Sequence, residues 1–561
     1  MSESYRRLCQ DLPPTAGGPV RFPAEPKKVK AWVAALPRAN PQAAEQEIAR
    51  ALEGLAGQRL DGGKRLAALE EVRGTALEAI VLLERGFQGS SLPLPPDQAR
   101  AASVAGQFHL NLAIGYRQAA CELCAPSGSV PFLRGSSVLS ALERSAWHYV
   151  RSLALAWRVY RPAPAGAWQG LHRLHRFASA LKLERKTTED KAAGGANDVH
   201  TLYMQALLMA SVNPYAFAQT EQDALWPATR GYAARCGLLT HAPEGIAPVV
   251  PNDADRGPGA GGSDESPSTW LDLAPFAEDV ERALRRVRDG QGELAPTPGL
   301  SVPVGNDLLI RLHRAFGQMA ARGLVRLPAG HSLDTVLGLS GLHYLLAGQR
   351  DFDTFMRQSA QGTVHVIAGA AWTQGSASMT KLPRFSARVL DQSLGGYRMA
   401  WDSAEQARAK VGELVGLGFG EDQDDTDWMV GVMRWLRYET DGSLSAGVEL
   451  LSRRSSPVAL RAVSPDGGSR QVQRAVEVFP IDGTPGRCFV CSASIEAGSR
   501  VEVIHDSASH IPEVGMRGPD LLEEVEVLLN AGDYVLLGER LPEAAVPDDS
   551  ESNDALEGEP A

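Results

Sequence analysis

The stretch Phe385-Ser-Ala-Arg-Val-Leu390-Asp391-Gln-Ser393-Leu-Gly-Gly396-Tyr-Arg-Met-Ala-Trp401 decides the fold class of the C-terminal half of this chain. Its two flanks are short and carry β-branched and aromatic residues, and its middle is an Asp/Ser/Gly turn, the pattern of two antiparallel strands joined tightly. The same pattern recurs downstream in Glu413-Leu-Val-Gly-Leu-Gly-Phe419, Trp428-Met-Val-Gly-Val-Met-Arg-Trp-Leu-Arg-Tyr438 and Leu444-Ser-Ala-Gly-Val-Glu-Leu-Leu451, with an Asp441-Gly442 turn between the last two. Several short strands broken in this way predict a small antiparallel barrel or sandwich over residues 322–455. Further strand-like runs at 471–479, 487–492, 500–505 and 523–528 predict a second small β unit over 456–540.

Upstream the period changes from two to between three and four. Lys64-Arg-Leu-Ala-Ala-Leu-Glu-Glu-Val-Arg-Gly-Thr-Ala-Leu-Glu-Ala-Ile-Val-Leu-Leu83 repeats apolar residues at helical spacing, and similar runs cover 29–55, 97–124, 136–160, 166–183, 198–211 and 218–237. Breaks such as Leu92-Pro-Leu-Pro-Pro96 and Arg161-Pro-Ala-Pro-Ala-Gly166 separate several of them. Residues 26–240 are therefore expected to form an all-helical domain, a bundle or an irregular solenoid. Residues 241–269, rich in Pro, Gly, Asp and Ser, read as a flexible linker, and 270–321 as a helical connector with helices near 271–288 and 306–321. The whole is a multidomain α plus β protein.

Composition narrows the function. The chain has 561 residues and a net charge of −11. Residues 541–561 hold seven acids and no base, so the rest carries only −4. That body has no basic footprint for duplex nucleic acid, and the acidic tail has too little to bury to fold. No run approaches the roughly 20 uncharged apolar residues of a membrane span, and the N-terminus lacks a secretory apolar segment, so the expected location is the cytoplasm. The cysteines include two Cys-x-x-Cys pairs, Cys121/Cys124 in a helical run and Cys488/Cys491 in a strand-like run. Strand alternation sends the second pair to opposite faces, and both pairs read as small buried hydrophobes, with no metal assigned.

Two signals carry chemistry. In Arg322-Gly-Leu-Val-Arg326-Leu-Pro328, two arginines four apart sit between a helix and a strand. Guanidinium groups stack on purine faces, bond O6 and N7 of guanine bidentately and pair with phosphate oxygens. In Asp391-Gln-Ser393-Leu-Gly-Gly396, a carboxylate and a hydroxyl can meet the N1–H and 2-amino donors of guanine, and the glycine allows close approach.

With the strands that follow, these motifs resemble the PilZ domain. That resemblance implies a six-stranded antiparallel barrel binding cyclic di-GMP. It implies Arg322 and Arg326 as a flexible clamp, mobile without ligand, and Asp391, Ser393 and Gly396 as a cradle on the barrel. The 64 residues between Arg326 and Asp391 exceed the family's usual spacing, so an insertion is expected at about 346–382, containing Val364-His-Val-Ile and Gln374-Gly-Ser-Ala-Ser. Surface insertions cost little closure entropy, so the barrel tolerates it, although it stands where it could cover the pocket. Arg384-Phe-Ser-Ala-Arg388 has the arginine spacing but runs along a strand and reads as barrel surface.

The expected function is a non-enzymatic bacterial regulator that senses cyclic di-GMP through the barrel and contacts an effector protein through the helices, with no cofactor. One alternative is an interaction scaffold with a degenerate, non-binding barrel. Another is a hydrolase in the helical region built on a metal at His172 and His175, but no HExxH arrangement or third ligand accompanies that pair. Trp147-His148-Tyr149 reads as packing, and the acidic run Glu421-Asp-Gln-Asp-Asp-Thr-Asp427 as a solvated turn.

Overall fold

The computed structural model describes residues 2–15, 22–90, 92–243, 247–259, 269–287, 291–320, 326–359, 384–402, 409–419, 428–463, 471–481, 483–484, 486–492, 494–505, 520–531 and 533–540. The chain divides into two compact units. The first comprises Met1–His331, Ala387–Gly412 and Met433–Val448, and the second Ser332–Ser386, Glu413–Val432 and Glu449–Ala561.

The first unit opens with helices α1 (Glu3–Leu8), α2 (Pro26–Ala34), α3 (Pro41–Gly57), α4 (Gly62–Phe87), α5 (Pro96–Leu123), α6 (Gly135–Arg158) and α7 (Ala167–Ala180). Their starts follow local chemistry: Asn40 and Asp61 accept backbone N–H groups of the first turns of α3 and α4, and Pro stands at the start of α2, α3 and α5. The helical run expected over 29–55 is broken at Leu36-Pro37, which separates α2 from α3. Leu69, Val72 and Ala76 of α4, Phe108, Leu112 and Tyr116 of α5, and Leu142, Tyr149 and Leu153 of α6 are buried in one core. Helix α7 crosses close, because a Cβ on Gly170 would lie 2.4 Å from the Tyr149 ring.

A hairpin of β1 (Thr188–Asp190) and β2 (Gly195–Asn197) leads to α8 (Val199–Ser211) and α9 (Gln219–Tyr232). Asp190 receives the Arg73 guanidinium through both oxygens, at 2.8 and 2.6 Å, while Arg73 Nε donates to His148 at 3.0 Å. Arg144 adds a second cation to Asp190 at 3.2 Å. His172 is held by the Tyr203 hydroxyl at 2.7 Å and the Arg256 carbonyl at 2.9 Å, and His175 by His200 at 3.2 Å. These are core histidines with partners, and among the described residues no group of three or more His, Cys, Asp or Glu is placed to hold a metal.

The stretch expected to be a loose linker is partly tied down. Strand β3 (Gly237–Leu239) and β4 (Val249–Val250) both pair with β5 (Thr269–Asp272). Asp253 meets Arg173 at 2.5 Å, and Asp255 accepts the N–H groups of Gly166 and Gln169 at the start of α7. Two acids of the expected flexible linker thus have partners in the helical core, Asp253 in a buried arginine and Asp255 in a helix N-terminus. The connector is likewise not wholly helical: between α10 (Ala274–Leu284) and α11 (Asn306–Ala320) stands a hairpin, β6 (Gln291–Thr297) and β7 (Leu300–Gly305). Phe276, Val280, Leu294, Val302, Leu308 and Leu312 bury into the same core as the upstream helices.

The barrel strands are β9 (Ser332–Leu337), β10 (Phe385–Ser393), β11 (Gly396–Trp401), β12 (Leu414–Gly418), β13 (Met429–Tyr438) and β14 (Leu444–Val463), preceded by the short β8 (Leu327–Pro328). Their order is β11-β10-β9-β12-β13-β14, and β14 returns to β11, which closes a six-stranded antiparallel barrel. Alternation is strict where it matters: Ala387 and Val389 of β10 are buried while Ser386 and Arg388 are exposed. Arg384, the first arginine of the Arg384-Phe-Ser-Ala-Arg388 run, lies over the Trp428 ring at 5.7 Å. In the first unit's share of the barrel, Gly447 makes room for Trp435, whose ring nitrogen would lie 1.9 Å from a Cβ there.

In the second unit, β9 and β12 pair through Val336 and Gly416, and α12 (Gly338–Leu346) supplies Leu342 to a core with Leu414, Trp428 and Val430. Helix α13 (Phe352–Ser359) falls at the start of the expected insertion, whose remaining residues 360–382 lie outside the described residues. Strand β14 runs for 20 residues and carries the ladder onward. It pairs with β15 (Gln473–Pro480) and β17 (Arg500–His505), and β16 (Cys488–Cys491), β18 (Asp520–Leu522), β19 (Val525–Asn530) and β20 (Val535–Glu539) extend the sheet. The expected boundary at 455/456 therefore falls inside one strand. Cys488 packs with Val476 and Val490, and Cys491 with Phe489 and Val503, so the two thiols do face opposite sides. The acidic run 421–427 and the tail 541–561 lie outside the described residues.

The buried charges and histidines set a pH dependence. Burial holds His109 and His148 well below the usual imidazole range, His172 at about 4 and His175 at about 3. Below about pH 6.5 the unfolded chain binds protons that the fold refuses, so stability falls on acidification, each histidine contributing up to about 1.4 kcal/mol per pH unit. Glu143 acts oppositely: burial raises its carboxyl to about 7, so its contribution to stability fades as pH rises towards that value. One carboxyl does not offset four imidazoles, and the urea midpoint is expected to drop between pH 7 and pH 5; a higher midpoint at pH 5 would contradict this balance. Asp190→Ala, which strands Arg73 in the core, should cost about 3–5 kcal/mol in the same measurement at pH 7.

Candidate functional site

The turn motif sits where β10 hands over to β11. The register pairs Ser393 with Gly396, Gln392 with Tyr397 and Asp391 with Arg398, and an irregularity between Val389 and Asp391 shifts the ladder by one residue. Such a bulge re-aims the side chains that follow it. Leu394 at the turn is 73% exposed, whereas Gly396 and Tyr397 are buried. The Ser393 hydroxyl reaches the Gly396 carbonyl at 3.4 Å, a long contact that closes the hairpin weakly.

The arginine motif meets this hairpin from the other edge. Arg326 Nη1 donates to Asp391 Oδ1 at 2.7 Å. On the other oxygen, Arg398 Nη1 stands 3.8 Å from Asp391 Oδ2. The Arg326 side chain is 57% exposed and that of Asp391 20%, so the pair lies at the surface with its cation turned to water. Arg322 lies outside the described residues. Of the expected site residues, the fold thus gathers Arg326, Asp391, Ser393 and Gly396 at one hairpin.

The clamp segment was expected to be mobile without ligand. At its end, Leu327 and Pro328 form a short antiparallel ladder with Gln392 and Asp391, and Ala329 N–H donates to the Leu390 carbonyl at 3.1 Å. The edge of β10 presents unsatisfied backbone groups, and the chain arriving from Arg326 satisfies them. Upstream, α11 delivers the chain to this point and is fixed in its turn. Arg311, 15% exposed, pairs with Asp307 at 2.8 Å and with both Glu221 oxygens, and donates to the Ala216 carbonyl at 2.9 Å.

Arg398 is the residue that the sequence reading missed. A two-residue turn at Leu394-Gly395 fixes the register, and that register sets Arg398 directly across from Asp391. The signal was available in the spacing. A second overlooked contact joins the barrel strands of the first unit to its helices: Tyr438 N–H donates to the Tyr160 carbonyl at 2.8 Å, and Arg161 reaches the Glu439 carbonyl at 3.4 Å.

The chain is similar to known proteins over most of its length. Residues 27–244 match the family described as "Cyclic-di-GMP receptor FimW, N-terminal domain". Residues 261–376 and 364–457 match "Cyclic-di-GMP receptor FimW, middle PilZ domain". The chain carries a PilZ domain. The match begins ahead of α10, so the connector belongs with the PilZ domain in that alignment, and it falls into two pieces that overlap inside the expected insertion. A curated relative, "Cyclic-di-GMP receptor FimW" of Pseudomonas aeruginosa, is 23% identical over 532 residues, covering 86% of each chain. No solved structure matches. Among the described residues, no helix is long and apolar enough to cross a membrane.

The ion pair and the short ladder make one prediction about the PilZ domain by itself. Asp391→Ala removes the anion that holds Arg326, and the amide of Ala329 should then exchange with solvent at least several-fold faster than in the unmodified protein, as read by hydrogen exchange. Unchanged protection would mean that the backbone ladder alone holds the segment.

Proposed function

We propose that this chain is a bacterial cyclic di-GMP receptor: the PilZ domain takes the dinucleotide, and the helical region passes the occupied state to an effector protein. The observation that carries the reading is the Arg326–Asp391 pair, a guanidinium and a carboxylate 2.7 Å apart at the mouth of the β10–β11 hairpin. A guanine-containing phosphodiester has a better partner for each. Its phosphates and purine face suit Arg322 and Arg326, and its N1–H and 2-amino donors suit Asp391 and the Ser393 hydroxyl. Gly396, paired with Ser393 in the hairpin, adds no side chain beside them.

In this reading the ligand exchanges one internal ion pair for several charge-assisted contacts, and the differential affinity shifts the segment around Arg326. Helix α11 ends at Ala320, immediately before that segment, and is locked to α9 through Arg311 and Glu221. Movement at the clamp is therefore delivered to the helices rather than dissipated. The role is one of binding, not of catalysis, and a cytoplasmic site of action goes with it.

Isothermal titration of the full chain with cyclic di-GMP tests the reading. Binding in the micromolar range or tighter is expected, with Arg322→Ala, Arg326→Ala and Asp391→Ala each losing about 10–100-fold, the weight of a charge-assisted contact of about 1.5–3 kcal/mol. No heat at micromolar concentrations, or variants that bind as well as the unmodified chain, would overturn it.

A further inference from the structure

Past the bulge in β10, the β10–β11 hairpin sets four positions on one face. Asp391 and Ser393 come from β10, Gly396 and Arg398 from β11, with Ser393 opposite Gly396 and Asp391 opposite Arg398. Gln392 and Tyr397, opposite each other, take the other face. On the first face the strand neighbours of Arg398 are Gly396 and Ala400, so its own strand sets no bulky side chain beside the guanidinium.

Arg398 is aimed at Asp391 without being bonded to it. Its Nη1 stands 3.8 Å from Asp391 Oδ2, beyond hydrogen-bond reach, while Arg326 donates to the other oxygen, Oδ1, at 2.7 Å. Arg398 Nε is shielded from water and has no hydrogen-bond partner among the described residues. The rest of the side chain is not closed off, being 40% exposed beside an Asp391 that is itself partly open to solvent. A donor withdrawn from water without an acceptor is unfavourable, and a ligand that brings the acceptor relieves it.

We propose that Arg398 is the base-selecting residue of the site, its guanidinium donating to guanine O6 while the adjacent Asp391 accepts from N1–H and the 2-amino group. This rests on the receptor reading above and extends it from the dinucleotide to one edge of one base. The edge of guanine presents the 2-amino group, N1–H and O6 in a row, two donors beside one acceptor. The face of the hairpin presents the complement, a carboxylate that only accepts beside a guanidinium that only donates.

The neighbouring charge decides between a base and a phosphate at Arg398. A phosphate brought to this guanidinium also meets Asp391 Oδ2, 3.8 Å from the same cation, and the two anions repel each other. A neutral base edge satisfies both side chains at once. Adenine fails the same test, because its N1 acceptor meets the carboxylate and its 6-amino donor meets the guanidinium. Arg326 is then left to the phosphates and the purine face, and Arg398 takes a role that the Arg-x-x-x-Arg spacing does not contain.

The test compares cyclic di-GMP with cyclic di-AMP on the full chain, by calorimetric titration for the first and by displacement up to millimolar concentrations for the second. The unmodified chain is expected to prefer cyclic di-GMP by about 100-fold or more. Arg398→Met should weaken cyclic di-GMP by about tenfold or more and leave cyclic di-AMP no weaker, so the preference narrows by the same factor. Arg398→Lys, which keeps a donor, should recover part of that preference. An equal loss on both ligands, or a preference that Arg398→Met does not change, makes the residue structural or a phosphate contact and overturns the assignment while the receptor reading stands. No binding of cyclic di-GMP by the unmodified chain overturns both.

Discussion

Arginines taken out of water and met there by opposite charges organise the helical unit. Removing such a group from solvent costs several kcal/mol unless its donors are all engaged. Arg65 finds Glu122, Arg73 finds Asp190, Arg173 finds Asp11 and Asp253, and Arg311 finds Glu221 and Asp307. Each pairing except Arg311–Asp307 joins elements far apart in sequence. Between them they hold the first residues, the β1 hairpin, the Pro/Gly-rich stretch after β3 and helix α11 to the same core. The unit is therefore larger than its helices, and its outer segments are fixed by electrostatics where they lack apolar area.

That constraint reaches the PilZ site. Helix α11, which ends at Ala320, is pinned through Arg311 to Glu221, and β8, which begins at Leu327, is pinned by its pairing with β10. At the end of the segment between them Arg326 already has an anionic partner, its Nη1 donating to Asp391 Oδ1 at 2.7 Å.

Much of this was legible in the residues. Periodicity located α4 to α8 within a few residues, since long amphipathic helices repeat their signal many times. The barrel strands and the Asp391–Gly396 turn were readable because β10 and β11 alternate cleanly and the turn residues are diagnostic. The hairpin β6–β7 was not, because Gln291–Thr297 contains proline and few β-branched residues, and its strand character comes from packing against the helical core. Nor was the ordering of 247–259, which depends on Arg173, 80 residues from Asp253, and on the start of α7, 89 residues from Asp255. The role of Arg398 was latent in the turn length, and extracting it needed the register and not the motif.

The Asp441-Gly442 turn between β13 and β14 has a consequence of its own. Surface turns ordinarily accept added residues at small cost. Here Tyr438, at the approach to the turn, spends its backbone N–H on the carbonyl of Tyr160, whose own φ of +53° is one that a tyrosine rarely adopts. A lengthened loop would have to preserve both that donor and that unusual acceptor. Tolerance to insertion should consequently be poorest at a position that sequence alone would nominate as the most permissive on the barrel.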